Sequence, residues 1–229
     1  MSEAAPLSAS NWPGLGGLLV SRLLEFNLLP SRSLHPAQIP QLAPPDGLAD
    51  APPSVQDALH RHWSKRLLGR LGASATPVLD LDEPALPLAL AAPVLLRRLA
   101  LDLGIALIGS PLRHIVEREE VLKARTALGE QGMAWALDGA AQLHPGLNDA
   151  HSWLRAGWAE AAEQLGSGLL AQAWHDAPAP IRARADWKLP PGSLDEKTRV
   201  ASGRTASQAR DMCLQRLNQM DPTWLLCFP

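Results

Sequence analysis

Apolar side chains recur along this chain at intervals of three and four residues, not two, which is the spacing that lines one face of an α-helix. Leu15, Leu19, Leu23 and Phe26 form one such stripe and predict a helix from about 15 to 28, which Pro30 cannot continue. Residues 30–53 then carry seven prolines and predict ordered loop with short turns. Val55, Leu59, Trp63, Leu67 and Leu71 make the next stripe, announced by Ser54 with Asp57 three positions on as an imperfect capping box, and ended by Gly72. Beyond a second proline-rich link, helices are expected at about 92–108, 111–128, 131–143, 148–165, 168–176 and 194–219. Three of these starts have a capping mechanism: Ser110 before Pro111, Asn148, and Ser193 with Glu196. The segments 1–11 and 222–229 lack periodicity and are expected to be loose termini. No repeat of fixed period appears, so a solenoid is not supported.

Composition agrees with the periodicity. The chain has 42 Leu and 36 Ala but only 17 Val, Ile and Thr together, with no Tyr and two Phe. Strands would need the opposite mix, so the expected fold is all α, a compact single domain of many helices joined by proline-rich loops. At 229 residues it can bury a core without disulfide or metal staples. Twenty-one basic against 23 acidic residues give a net charge of −2, which offers no uniform positive field for nucleic acid or anionic lipid. Cys213 and Cys227 form no C-x-x-C pair, and no signal-peptide pattern opens the chain; a cytosolic protein with reduced thiols is expected. The long apolar region from Pro77 to Gly109 is interrupted by Asp80, Asp82, Glu83, Arg97, Arg98 and Asp102, which makes it core and not a membrane span.

The search for catalytic chemistry returns little. His60 and His62 are two apart on a helix and point to roughly opposite faces, so they cannot share an ion. His114 and Glu117, three apart on an expected helix, lack the second matching pair a dinuclear site needs. Gly14, Gly16 and Gly17 follow Trp12-Pro13 and not a strand, and Ser167 between Gly166 and Gly168 does not have nucleophile-elbow spacing. Cys213 falls on the apolar stripe of the last helix, and Asp80, Asp82 and Glu83 solvate a link. No enzyme, cofactor or metal is called for by these patterns. The unusual feature is eight Trp in a chain without Tyr. Trp153 and Trp158, on one expected helix, stand about 140° apart around its axis, so at least one is expected near the surface, where Trp favours protein contacts.

The stretch FNLLPSRSLHPAQIP, with Phe26, Leu28, Pro30, Leu34-His35 and Ile39-Pro40, resembles the N-terminal signature of the SctK (YscK-like) family of type III secretion proteins. The resemblance resumes at Leu95–Leu128, which is similar to that family's paired Leu-rich helices joined by a small-residue turn. Ser33 stands where relatives often carry Tyr, and residues 40–53 and the tail beyond Asp221 align poorly. The resemblance implies a non-enzymatic adaptor of the injectisome. It would link the cytoplasmic domain of the inner-membrane ring protein SctD to the SctQ pods of the sorting platform, with SctL and SctN inboard, at the cytosolic face of the inner membrane. A secretion chaperone or another helical regulator is the second reading, and a helical hydrolase or metal enzyme the third. On the adaptor reading His35 is a loop anchor. Arg32 and His35 on the proline-stiffened loop, and Arg113, Glu117, Glu120 and Lys123 on an exposed helix face, are the candidate partner surfaces.

Overall fold

Two helices that touch backbone to backbone form the centre of the molecule. The structure, a computed structural model, describes residues 13–195, 198 and 203–228. The central pair are α4 (Pro93–Leu107) and α9 (Trp158–Ala173), numbering the α-helices in chain order. Before α4 come α1 (Pro13–Leu28), α2 (Pro53–Leu71) and α3 (Leu86–Leu90). Between the central pair lie α5 (Gly109–His114), α6 (Arg118–Asp138), α7 (Ala140–Leu143) and α8 (Ala150–Trp153). After them come α10 (Ala179–Asp186), α11 (Ala206–Met220) and α12 (Pro222–Leu225). Short 3₁₀ turns lie at Pro30–Arg32, Pro36–Leu42, Gly72–Ala75 and Leu154–Ala156, and no strand occurs among the described residues. The fold is all α. Among the described residues no helix is long and apolar enough to cross a membrane.

Helices α4 and α9 are buried nearly all round along their C-terminal halves, as core helices are. Small residues four apart face each other at the crossing, Ala100 and Gly104 on α4 against Ala162 and Gly166 on α9. A Cβ on Gly104 would fall 1.8 Å from the Ala162 carbonyl oxygen, and one on Gly166 would fall 1.7 Å from that of Ala100. Around this pair α11 contributes Ala209, Met212, Cys213 and Leu217 to the same core. Burial pushes the Cys213 thiol pKa upward, so Cys213 is a packing residue and not a thiolate, as its place on the apolar stripe implies.

The N-terminal part has a smaller core of its own. Leu34, Trp63 and Leu67 pack with Ile39, Leu42, Leu48 and Trp187, and the Trp63 indole donates to the Leu42 carbonyl at 3.0 Å. The proline-rich loop is thus ordered against the lower half of α2, whose upper residue Val55 is left exposed. Ser31 fastens loop to helix through Ser64 Oγ at 2.8 Å and the His60 carbonyl at 3.1 Å. Asn27 at the end of α1 clamps residue 78 in both directions, accepting from the Val78 N–H at 2.8 Å and donating to its carbonyl at 2.9 Å. Arg184 of α10 donates to the carbonyls of Ser74 and Ala75 just past α2, at 3.0 and 2.6 Å.

Several expected boundaries differ, each for a physical reason. The expected helix 111–128 is two helices: α5 starts at Gly109, so Ser110 is inside it, and Ile115–Glu117 is an extended link. Extension turns Ile115 onto the core and leaves Val116 outside. Gly129, at φ 72°, kinks α6 near the expected break between 128 and 131. Trp153 and Trp158 sit on different helices separated by Gly157 at φ 106°, so the one-helix angle between them does not apply. Gly166 and Gly168 do not divide α9, because their role is close approach. The start of α2 is capped by no side chain, and Asp57 serves an ion pair with Arg32 instead. Asn148 likewise does not cap α8, whose N-cap position is Asp149. Short helices α3 and α10, with prolines at their starts, were not signalled by periodicity. The last long helix begins at Ala206 behind a capping box of Thr205 with Gln208. Glu196 of the expected box lies outside the described residues, as do residues 1–11 and Trp12. The tail from 222 to 228 is packed, not loose: Asp221 caps Trp224, whose buried indole donates to the Pro87 carbonyl at 2.8 Å.

Candidate protein-interaction surfaces

The proline-stiffened loop places its two candidate residues on different supports. His35 is 8% exposed, and its backbone N–H donates to the Trp187 carbonyl at 2.8 Å. Its Nδ1 accepts from the Ala37 N–H at 3.2 Å, which puts the proton of the neutral ring on Nε2, 3.7 Å from Glu163 Oε1. Burial lowers its pKa against the pull of Glu163, with Arg97 adding to the lowering. His35 is therefore a loop anchor in the wall of a cleft and not an exposed contact residue. Arg32 is bound to α2 through Asp57, on the part-exposed side of the loop. Arg32 and His35 do not share one patch.

The cleft beside His35 holds about 280 Å³ and is also lined by Arg97, Glu163, Ser167 and Lys188. A lysine whose pKa falls to about 7 through burial is the kind of group a catalytic site uses. Here its Nζ donates to the carbonyls of Ala89 and Ala91 at 2.6 and 2.9 Å, and it lies 5.5 Å from the Phe26 ring centre. Lys188 thus closes the C-terminal end of α3, satisfying carbonyls that the short helix leaves open. Among the described residues no three His, Cys, Asp or Glu side chains stand together so as to hold a metal ion.

The second candidate set is not one helix face. Arg113 belongs to α5 and is folded back, donating to the Pro145 carbonyl at 2.6 Å. Glu117 sits in the extended link, while Glu120 and Lys123 are on α6. Lys123 Nζ lies 3.0 Å from Glu119 and 2.9 Å from Glu120, an exposed network of small energetic weight. What the break at Ile115–Glu117 creates is an elbow, and against it Leu154 and Trp158 close a groove of about 580 Å³. Glu117 and Glu120 line it, as do His114 and His151; Arg113 and Lys123 do not. The sequence signal for this groove was the Trp158 surplus indole, whereas Val116, which also lines it, carried none.

A loop from His144 to Leu147 supports the elbow. Leu147 N–H donates to the Leu107 carbonyl at 2.7 Å, Pro145 receives Arg113, and His144 Nδ1 accepts from the Gly146 N–H at 2.9 Å. Burial, with Arg204 adding, lowers the His144 pKa to about 4. The unfolded chain binds this proton first, so stability is lost as pH falls from about 6.5 towards about 4, by at most about 3 kcal/mol. His144→Asn keeps an acceptor for Gly146 but cannot titrate. Its denaturant midpoint is expected to drop less than that of the wild type between pH 7 and pH 4.5, and equal drops would exclude His144 as the cause.

The described residues thus define an all-α protein with a backbone-tight helical core, ordered proline-rich connections, and surface clefts beside His35 and at the Ile115–Glu117 break. No family model, curated protein or solved structure matches the chain.

Proposed function

We propose that this protein is a non-enzymatic adaptor of the type III secretion injectisome, of the SctK kind, linking an SctD-type cytoplasmic domain to SctQ-type pods at the cytosolic face of the inner membrane. SctL and SctN would be reached indirectly, through the pods. The observation that carries this reading is the resemblance at Phe26–Pro40 and Leu95–Leu128. Support comes from where those stretches lie: Phe26, Leu34 and His35 are buried, and Leu96, Leu99, Leu103 and Leu112 are core. Such residues specify a fold more than a surface, so a shared fold is the natural meaning of sharing them. Further support is that Lys188 and Arg184, the buried groups most suggestive of chemistry, spend their hydrogen bonds on backbone carbonyls. That is the behaviour of a scaffold.

The test is two-component binding with an SctD-type domain and an SctQ-type protein from the same source. Both are expected to bind the wild type. Arg32→Glu places a like charge beside Asp57 on an exposed face, and Lys123→Glu does so beside Glu119 and Glu120; each is expected to weaken one partner several-fold with the melting temperature nearly unchanged. Arg113 is not suited to this test, because removing it unties the loop at Pro145. If neither partner binds the wild-type chain, the adaptor reading falls.

A further inference from the structure

We propose that the elbow groove is a docking site for a short peptide segment of a partner protein, one that sets a large apolar side chain against Val116 and Trp158 and carries lysine or arginine beside it. The apolar half of the argument starts at Val116, which is 93% exposed at the tip of the Ile115–Glu117 link. With Pro111, Ile115, Leu154 and Trp158 it lines the groove. A valine held out in water beside a half-buried indole is surface that gains by being covered. The volume of about 580 Å³ falls inside the range of about 300–1,000 Å³ in which proteins bind ligands.

Charge decides the kind of partner. The acidic side chains lining the groove are Glu117 and Glu120, and no lysine or arginine lines it. Arg113, the nearest base on α5, is spent on the Pro145 carbonyl, and Lys123 meets Glu119 and Glu120 together, one cation against two carboxylates, so these three side chains keep a net negative charge. Arg118 and Arg155 adjoin the groove in sequence but are absent from its wall. A carboxylate rim repels nucleic acid and anionic lipid and attracts lysine or arginine, so an apolar anchor with basic neighbours is complementary on both counts. The walls are also held in advance. Arg113 ties α5 to Pro145, Leu147 is bonded to Leu107, and His114 Nδ1 contacts the Ser110 carbonyl at 2.7 Å, so a segment entering the groove pays little to order it. Such a segment need not belong to a secretion component, and the groove can be tested without one.

Random peptides displayed on phage are to be selected on the immobilised full-length chain, and the enriched sequence synthesised with a fluorescent label for anisotropy titration. Enriched peptides are expected to share a large apolar residue flanked by lysine or arginine. Their affinity is expected to fall at least about tenfold for Glu117→Lys with Glu120→Lys, and similarly for Val116→Asp, while helix content and melting temperature stay close to wild type. Raising salt should weaken binding to the wild type but not to the charge-reversed variant, whose lysines repel the basic residues of the peptide until salt screens them. The proposal is overturned if no peptide enriches, if the enriched peptides lack basic residues, or if both variants bind with wild-type affinity. It is also overturned if the wild type is a dimer that Val116→Asp separates, since a second copy would then occupy the groove.

Discussion

Gly166→Ala is expected to destabilise the fold by about 3 kcal/mol, a fall in melting temperature of about 6–12 °C for a chain of this size. The added methyl would lie 1.7 Å from the Ala100 carbonyl oxygen and 2.9 Å from the Gly104 nitrogen. Both are backbone atoms in the middle of a helix, so no side chain can swing aside, and α4 and α9 must separate along a contact buried in the core. Gly104→Ala meets the same obstacle from the other side, against the Ala162 carbonyl. Helix propensity acts in the opposite direction, favouring alanine by up to about 1 kcal/mol in a helix interior. Gly69→Ala isolates that contribution, because Gly69 lies in α2 with nothing within 4 Å of where its Cβ would be. It is expected to be neutral or slightly stabilising. Thermal unfolding of the three variants separates crowding from propensity, and a Gly166→Ala variant as stable as the wild type would mean that the two helices do not touch through their backbones.

This crossing also shows where the sequence was readable and where it was not. The leucine and alanine excess over β-branched residues specifies helices, because it is a sum over the whole chain in which local exceptions cancel. Helix ends depend on single residues, and there the local rules compete. Gly166 and Gly168 look like helix breakers if glycine is judged by propensity, but in α9 the missing side chain of Gly166 is what allows α4 to approach, and that of Gly168 makes room for Thr198 and the Ser193 carbonyl. The pairs Ala100 with Gly104 and Ala162 with Gly166 were both visible at four-residue spacing. What was invisible is that they face each other across more than fifty residues of chain. Ser110-Pro111 misled in the reverse direction. Proline is tolerated anywhere in the first turn, where its missing N–H would have no helical partner, so α5 could start two residues earlier than the cap rule suggests.

The candidate surfaces were legible as residues but not as places. Arg32, Glu117, Glu120 and Lys123 lie at least partly exposed, as a charge pattern predicts. His35 and Arg113 are turned inward by backbone acceptors and donors at Trp187, Ala37 and Pro145. Those partners are distant in sequence or are main-chain atoms, which carry no sequence signal. The elbow groove depends on the extended link at Ile115–Glu117, and no glycine or proline marks that break.

Arg216→Met is expected to cost about 3 kcal/mol or more, because it strands a carboxylate in the core. Asp102 of α4 is buried, and its Oδ2 accepts from Arg216 Nε and Nη2 of α11 at 3.0 and 2.5 Å. The same guanidinium lies 3.5 Å over the Trp135 ring of α6, and the Trp135 indole donates to the Asp102 backbone carbonyl at 2.8 Å. Three helices therefore meet at one ion pair. Methionine retains much of the side-chain volume over the indole and removes the charge, so the loss measures the unpaired Asp102 together with the lost stacking on Trp135, and not a cavity. The paired replacement, Asp102→Leu with Arg216→Met, is expected to recover most of that loss, since an apolar pair needs no compensating charge. Denaturant unfolding of the two single variants and the double closes the cycle. Additive losses would show that the carboxylate and the guanidinium act independently. Helix α6 carries Glu120 into the elbow groove and is held to α4 and α11 through Trp135, but the kink at Gly129 lies between these two residues. The double variant should therefore regain stability and bind the selected groove peptide about as tightly as the wild type, because the junction fixes the part of α6 beyond the kink and not the part that lines the groove.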